Sequence, residues 1–219
     1  MRKFAIIGMS SFGFYLSKFL SERNHKVMAI DNDEAMVEQI KMFVDKAVIA
    51  DATKKETLEN LNISDFDVVV VSLGGKIDAS ILVTLYLKEL HVKEIIAKAV
   101  TEDHGRILDR IGATSVIFPE KDMAYRVARS ISNENVLDVI PLSKDISVLE
   151  FGPPPRFLGK TLTELNVRQK YNIQIVLIKE VIPDNEMIIP TPDHIIKESD
   201  ILMGVGKNSD FQKLLNEKI

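Results

Sequence analysis

Phe4-Ala5-Ile6-Ile7-Gly8-Met9-Ser10-Ser11-Phe12-Gly13 decides the fold of this 219-residue chain. Four consecutive apolar residues with no polar alternation read as a strand buried on both faces. The glycine that ends the run is followed by Phe12, Tyr15, Leu16, Phe19 and Leu20 at helical spacing, so a tight turn leads straight into an amphipathic helix. The same rhythm continues outward from this unit. Val27–Ile30, Ala47–Ala50, Val68–Val71, Ile95–Ala99 and Val116–Phe118 read as further strands. Met36, Val37 and Ile40 mark a helix, and others are expected around Lys55–Leu61, Ile77–Leu90 and His104–Ile111, the last stopped by Gly112. Apolar strands alternating with amphipathic helices imply parallel pairing through right-handed crossovers. The expected fold is α/β, a doubly wound, Rossmann-like parallel sheet over residues 1–118, followed by a small α+β domain.

The rhythm changes after Phe118. Pro119 suits a first helical turn, Glu120 and Asp122 place acid near the helix N-terminus, and Met123, Ala124, Val127, Ala128 and Ile131 give an apolar face. That face is expected to run on towards Val136 and Leu137 and to stop at Pro141, making 119–140 a crossover helix and linker. In the remaining segment, 141–219, strands are expected at Ile146–Phe151, Ile173–Lys179 and Ile201–Gly206. A stiff loop at Gly152-Pro153-Pro154-Pro155 and a helix start at Thr161–Leu165 fall between them. A domain of this size has a small core, and dimerisation is expected to support it.

Composition removes several classes. Without cysteine there is no disulfide framework, Cys-type zinc site or thiol nucleophile. Lys+Arg total 28 against 32 Asp+Glu, a net charge of −4, which argues against broad electrostatic binding to nucleic acid or anionic lipid. No stretch approaches the roughly 18–20 apolar residues of a membrane span, and the first apolar run is too short for a signal-peptide core. A soluble chain with no membrane insertion of its own is expected.

The loop Gly8–Gly13 sits where a G-x-G-x-x-G fingerprint belongs, with Ser10 in place of the middle glycine. Phosphate can still rest on the helix N-terminus there; the alternative is a tight strand–helix turn with no ligand. Asp31 ends the second strand, 18 residues past Gly13, close to the spacing of a ribose-binding carboxylate, and would repel a 2′-phosphate. Asp51-Ala52-Thr53 ends the third strand, either beside an adenine edge or as a helix N-cap. Ser72-Leu73-Gly74-Gly75 ends the fourth, where glycine permits close approach. All these positions lie at strand carboxyl ends, where such sheets bind ligands, and together they point to an adenine nucleotide.

Gly8-x-x-x-x-Gly13, Ala29-Ile30-Asp31, Asp51-Ala52-Thr53, Lys98-Ala99 and Ile111-Gly112-Ala113…Phe118-Pro119-Glu120-Lys121-Asp122-Met123 in series resemble the RCK (KTN) family. The likeness is to the cytosolic gating subunits of Ktr/Trk potassium-uptake systems. It extends through Phe157-Leu158-Gly159-Lys160-Thr161-Leu162 and Asp200–Gly206, and so over nearly the whole chain. The resemblance implies a cytoplasmic protein held at the inner face of the plasma membrane by an integral potassium channel or transporter subunit (KtrB- or TrkH-like). Homodimers would assemble into an octameric ring whose shape responds to nucleotide. It also implies that Asp31, with Asn32 beside it, holds the ribose, and that Asp51 and Ala52, next to Thr53, hold the adenine. Gly8, Met9, Ser10, Ser11, Phe12 and Gly13 would hold the phosphates, with Ser72, Gly74 and Lys98 around the pocket. The ligand would be ATP, ADP, AMP or NAD/NADH. Glu120 matches a carboxylate that holds Mg2+ or Ca2+ in ATP-binding relatives; its alternative role is a dipole-stabilising first-turn acid. Ser11 stands where ATP-gated relatives carry an arginine, which weakens ATP-over-ADP discrimination. Val167 and Arg168 match a cyclic di-AMP site of some relatives; the alternative there is a solvated helix end.

The rival classes are an NAD-dependent oxidoreductase and a redox-sensing transcriptional regulator. His25, His91, His104 and His194 show no metal-ligand spacing and are expected to be solvated or capping. No Tyr-x-x-x-Lys pair occurs, and neither terminus offers a basic helix-turn-helix, so neither an enzyme nor nucleic-acid binding is expected.

Overall fold

The computed structural model describes residues 1–131, 136–182 and 186–217, in two compact units, Met1–Pro119 and Glu120–Ile219. In the first unit, β1 (Lys3–Ile7), α1 (Ser11–Glu22), β2 (Lys26–Asp31), α2 (Glu34–Ile40) and β3 (Lys46–Ile49) come first. They are followed by α3 (Lys55–Asn60), β4 (Val68–Val71), α4 (Ile77–Glu89), β5 (Ile95–Lys98), α5 (Glu102–Ile111) and β6 (Ser115–Ile117). The six strands form one sheet in the order β3-β2-β1-β4-β5-β6, and every pairing is parallel. This is the doubly wound arrangement, and its strand order reverses between β1 and β4.

Burial explains the order. Ile6, Ile7 and all four valines of β4 are at most 2% exposed, as central strands covered on both faces require. Ala5, Ile7, Val69 and Val71 pack against α3, α4 and α5 residues such as Leu58, Val83 and Leu108 on one face. Ile6, Val27, Ala29 and Val70 pack with Phe12, Leu16 and Ile40 on the other. β3, at the edge, is only partly covered. The chain turns from β1 into α1 on two glycines. Gly8 has φ +94°, and a side chain there would lie 2.5 Å from the Ser72 carbonyl oxygen; one on Gly13 would lie 2.0 Å from that of Gly8. The loop thus brings the α1 N-terminus hard against the sheet.

In the second unit, α6 (Pro119–Ile131, whose first residue closes the first unit) is followed by β7 (Val136–Pro141), β8 (Ile146–Phe151) and α7 (Leu162–Leu165). Then come α8 (Val167–Tyr171), β9 (Gln174–Glu180), β10 (Glu186–Ile188), β11 (Asp200–Lys207) and α9 (Asn208–Asn216). The five strands are antiparallel in the order β10-β9-β11-β8-β7. Phe151, Phe157, Phe211 and Ile178 centre its core. Thr161 and Glu164 close α7 with a reciprocal capping box.

One expectation fails here. Val136 and Leu137 do not continue a helix: they open β7, in which Val136 and Val139 face the core and Leu137 and Ile140 face out. Pairing with β8, with a register shift between Val136 and Asp138 that turns both Val136 and Val139 to the core, outweighs the helical stripe, and residues 132–135, over which that stripe was expected to run, lie outside the described residues. Arg126 of α6 donates two side-chain hydrogen bonds to the Asp138 carboxylate of β7, which holds that carboxyl below its ordinary range.

Candidate nucleotide-binding site

Four loops meet at the carboxyl ends of β1, β2, β3 and β4, beside the point where the strand order reverses. They enclose a cleft whose floor is Ile7, Ile30 and Ala50 and whose walls are Asp31, Asn32, Asp51, Ala52 and Thr53 on one side and Leu73, Lys76 and Ala79 on the other. Asp31 is oriented by the backbone: its Oδ2 accepts from the Met9 N–H at 2.5 Å and its Oδ1 from the Asp33 N–H at 3.0 Å. A carboxylate offers about four lone-pair sites, so acceptor capacity is left for the two hydroxyls of a ribose.

Asp51 is fixed differently. Its Oδ1 accepts from both the backbone N–H (3.0 Å) and the hydroxyl (2.6 Å) of Thr53, which holds its carboxyl below the usual range, with Lys54 and Lys76 adding smaller charge effects. These bonds shape a turn before α3. The helix N-cap is Lys54, without a side-chain capping bond, so neither Asp51 nor Thr53 serves as that cap.

The glycine loop leaves the start of α1 open. Ser10 occupies the N-cap position, but its hydroxyl makes no capping bond; it lies 2.8 Å from the hydroxyl of the buried Ser72 at the end of β4. Ser11 is exposed. The first amides of α1 therefore keep free donors and the positive end of the helix dipole, the features that hold phosphate. Ser10 in place of glycine thus fills a structural role, tying the loop to β4.

Residues 4–119 match the TrkA-N domain and residues 146–218 match the TrkA-C domain. The chain belongs to the TrkA/KtrA family. Two Bacillus subtilis (strain 168) relatives span it almost end to end. Ktr system potassium uptake protein C is 41% identical over 97% of this chain and 95% of its own length. Ktr system potassium uptake protein A is 39% identical over 99% and 96%. Among solved structures, the GsuK channel bound to NAD superposes with a TM-score of 0.70 at 19% identity, covering 100% of this chain and 40% of that one. At that identity the likeness is one of fold.

The TrkA/KtrA residues expected to line the site do not all meet in the cleft. Asp31, Asn32, Asp51, Ala52 and Thr53 do, and Gly8–Gly13 adjoins it through Ile7 and the bond from Met9. Ser72 and Gly74 flank Leu73 at the cleft wall. Lys98, at the end of β5, is buried and is not among the lining residues. Lys76 and Ala79 were not anticipated, because only the β4–α4 turn brings them opposite Asp51; the glycine pair Gly74-Gly75 just before them was the available signal.

Glu120 is exposed in the first turn of α6. Val167 is buried in the C-terminal core, while Arg168 beside it is exposed.

Two histidines depart from the expected solvated or capping state. His104 is 2% exposed, accepts weakly from the Val100 N–H at Nδ1, and keeps an unpartnered Nε2 among the described residues; burial pushes its pKa down. It starts no helix: Thr101 is the cap, accepting from the His104 N–H, and so turns the imidazole inward. His194 packs beside Asp200 with only 12% of its side chain exposed.

Proposed function

We propose that this chain is a nucleotide-binding regulatory subunit of a potassium-uptake system. The observation that carries the reading is the cleft, in a chain related along its whole length to Ktr potassium uptake proteins. An oriented carboxylate (Asp31), a loop wall (Asp51-Ala52-Thr53) and an uncapped helix N-terminus surround one switch point. Asp31, oriented by the Met9 N–H, takes the ribose hydroxyls, Ala52 and Thr53 face the base, and Ser11 to Gly13 present amides to the phosphates. The negative Asp31 disfavours a 2′-phosphate, so ATP, ADP, AMP and NAD(H) are the candidate ligands. Lys76 supplies a cation on the opposite wall. In this proposal Glu120 offers its carboxylate to a Mg2+ or Ca2+ ion near the phosphates of a neighbouring subunit, and Arg168 is the side chain available to a second ligand such as cyclic di-AMP.

The chain regulates rather than catalyses in this reading. Among the described residues, no helix is long and apolar enough to cross a membrane, and ion passage is assigned to a separate membrane subunit at the cytoplasmic face. Residues 1–118 sense the nucleotide, 119–140 connect, and 141–219 pair with a second copy. Met123, Tyr125, Val127 and Ile131 are exposed along α6 and give this chain an apolar surface for homo-oligomerisation, up to the octameric ring. A ligand changes the ring only if it binds two shapes with different affinity.

The test is calorimetry with ADP on the wild type and on Asp31→Ala. Losing charge-assisted bonds of about 1.5–3 kcal/mol should weaken binding about ten- to a hundredfold. Unchanged affinity would refute the assignment of Asp31.

A further inference from the structure

We propose that Glu180, His194 and Asp200 form a site for a divalent transition-metal ion of the zinc type on the C-terminal unit. One ligand atom from each residue lies within 4.8 Å of the others. Asp200 pairs directly with Glu180 across β11 and β9, and Glu180 pairs in turn with Glu186 on β10. Three carboxylates in one cross-strand row repel one another, a repulsion that the Lys197 ammonium beside Glu180 offsets in part and a divalent ion would offset further.

Asp200 supplies the independent observation. It is 2% exposed, its Oδ2 accepts from the Lys197 N–H at 2.9 Å, and its Oδ1 is buried with no hydrogen-bond partner among the described residues. A buried carboxylate oxygen without a partner costs stability, which a cation held by both oxygens of Asp200 would recover. The His194 Nε2 lies 3.4 Å from the Asp200 Oδ2, long for a hydrogen bond between these atoms. It matches the ligand–ligand edge of roughly 3.3 Å in a tetrahedral site with bonds of about 2.0–2.1 Å. Glu180 then has only to close on that edge.

His194 is held in place for this role. Its N–H donates to the Thr191 carbonyl, its carbonyl accepts from the Leu162 N–H, and Thr161 bridges to Ile195. An imidazole with two carboxylates selects Zn2+ or Co2+ over Mg2+ and Ca2+, which take more ligands, all oxygen. Lys197 competes with the ion: its Nζ lies 2.6 Å from the Glu180 Oε1. Metal entry therefore displaces a lysine and joins β9, β11 and the loop before β11.

Zn2+ alone, titrated by calorimetry into the chelator-stripped full chain, should bind at one site per chain. Glu180→Gln and His194→Ala should each weaken that binding by more than about tenfold, and His91→Ala, at an exposed turn, should not. Lys197→Met should tighten it, which a merely structural triad would not do. In the wild type, Zn2+ should shift the imidazole nitrogen resonances of His194 and leave those of His25 in place, a reading that needs no variant. No Zn2+ uptake at about 100 μM would overturn the proposal and leave an imidazole–carboxylate pair. So would uptake that ignores both His194 and Lys197.

Discussion

Replacing Gly13 with alanine places a methyl group 2.0 Å from the Gly8 carbonyl oxygen and 3.2 Å from the Ser72 hydroxyl. Carbon atoms are not found closer than 3.0 Å in such contacts, so the backbone between β1 and α1 has to open by about 1 Å. The obstructing atom is main chain, in a residue whose N–H is bonded to the Ile30 carbonyl, and cannot rotate away as a flexible side chain would. Overpacking costs about 1–3 kcal/mol, and the rigidity of this contact puts Gly13→Ala at the upper end. Gly75→Ala is the control, because nothing lies within 4 Å of a methyl group there and the change should stay within about 0.5 kcal/mol. Urea unfolding followed by circular dichroism would read this as a midpoint lowered by about 1 M for Gly13→Ala. Hydrogen exchange would localise the loss to β1 and β4. A Gly13→Ala protein as stable as Gly75→Ala would refute the argument that close backbone approach requires this glycine.

Two further outcomes follow from single side chains. His104 is buried in its neutral form, so its folded pKa lies below the usual 6.5 while the unfolded chain keeps that value. The unfolded state then binds more protons, and this contribution, complete above pH 6.5, should fall away as the pH drops below it. Urea midpoints from pH 7.5 to 5 should show a shallower decline in His104→Gln, and an unchanged slope would contradict the burial argument. Val127→Glu places charge on the exposed apolar face of α6. It should weaken self-association about tenfold by light scattering, as expected for losing one buried valine, whereas unchanged assembly would remove that face from the interface.

What was legible in the sequence was whatever depends on local period. Val68–Val71, continuous and apolar, could only be a strand covered on both sides, and Asp31 and Asp51 announced themselves by ending such strands. Lys76 was not legible, because its place opposite Asp51 depends on a turn whose glycines allow many paths. The strand character of Val136 and Leu137 was hidden because apolar residues at that spacing also extend a helical stripe, and only the partner strand β8 decides between them. The burial of His104 and Asp200 ran against their polarity and depends on tertiary covering. The pairing of Asp200 with Glu180 depends on a register that includes a bulge between Met203 and Gly204.

On the proposed function, the nucleotide held by Asp31 sets the shape of an assembled ring. Solution X-ray scattering of the assembly, saturated in turn with AMP, ADP, ATP and NADH with and without Mg2+, tests it most directly. Profiles should differ between ligands sharing adenosine but not phosphates, with the differences abolished in Asp31→Ala. Identical profiles for every saturating ligand would contradict it and leave a static scaffold.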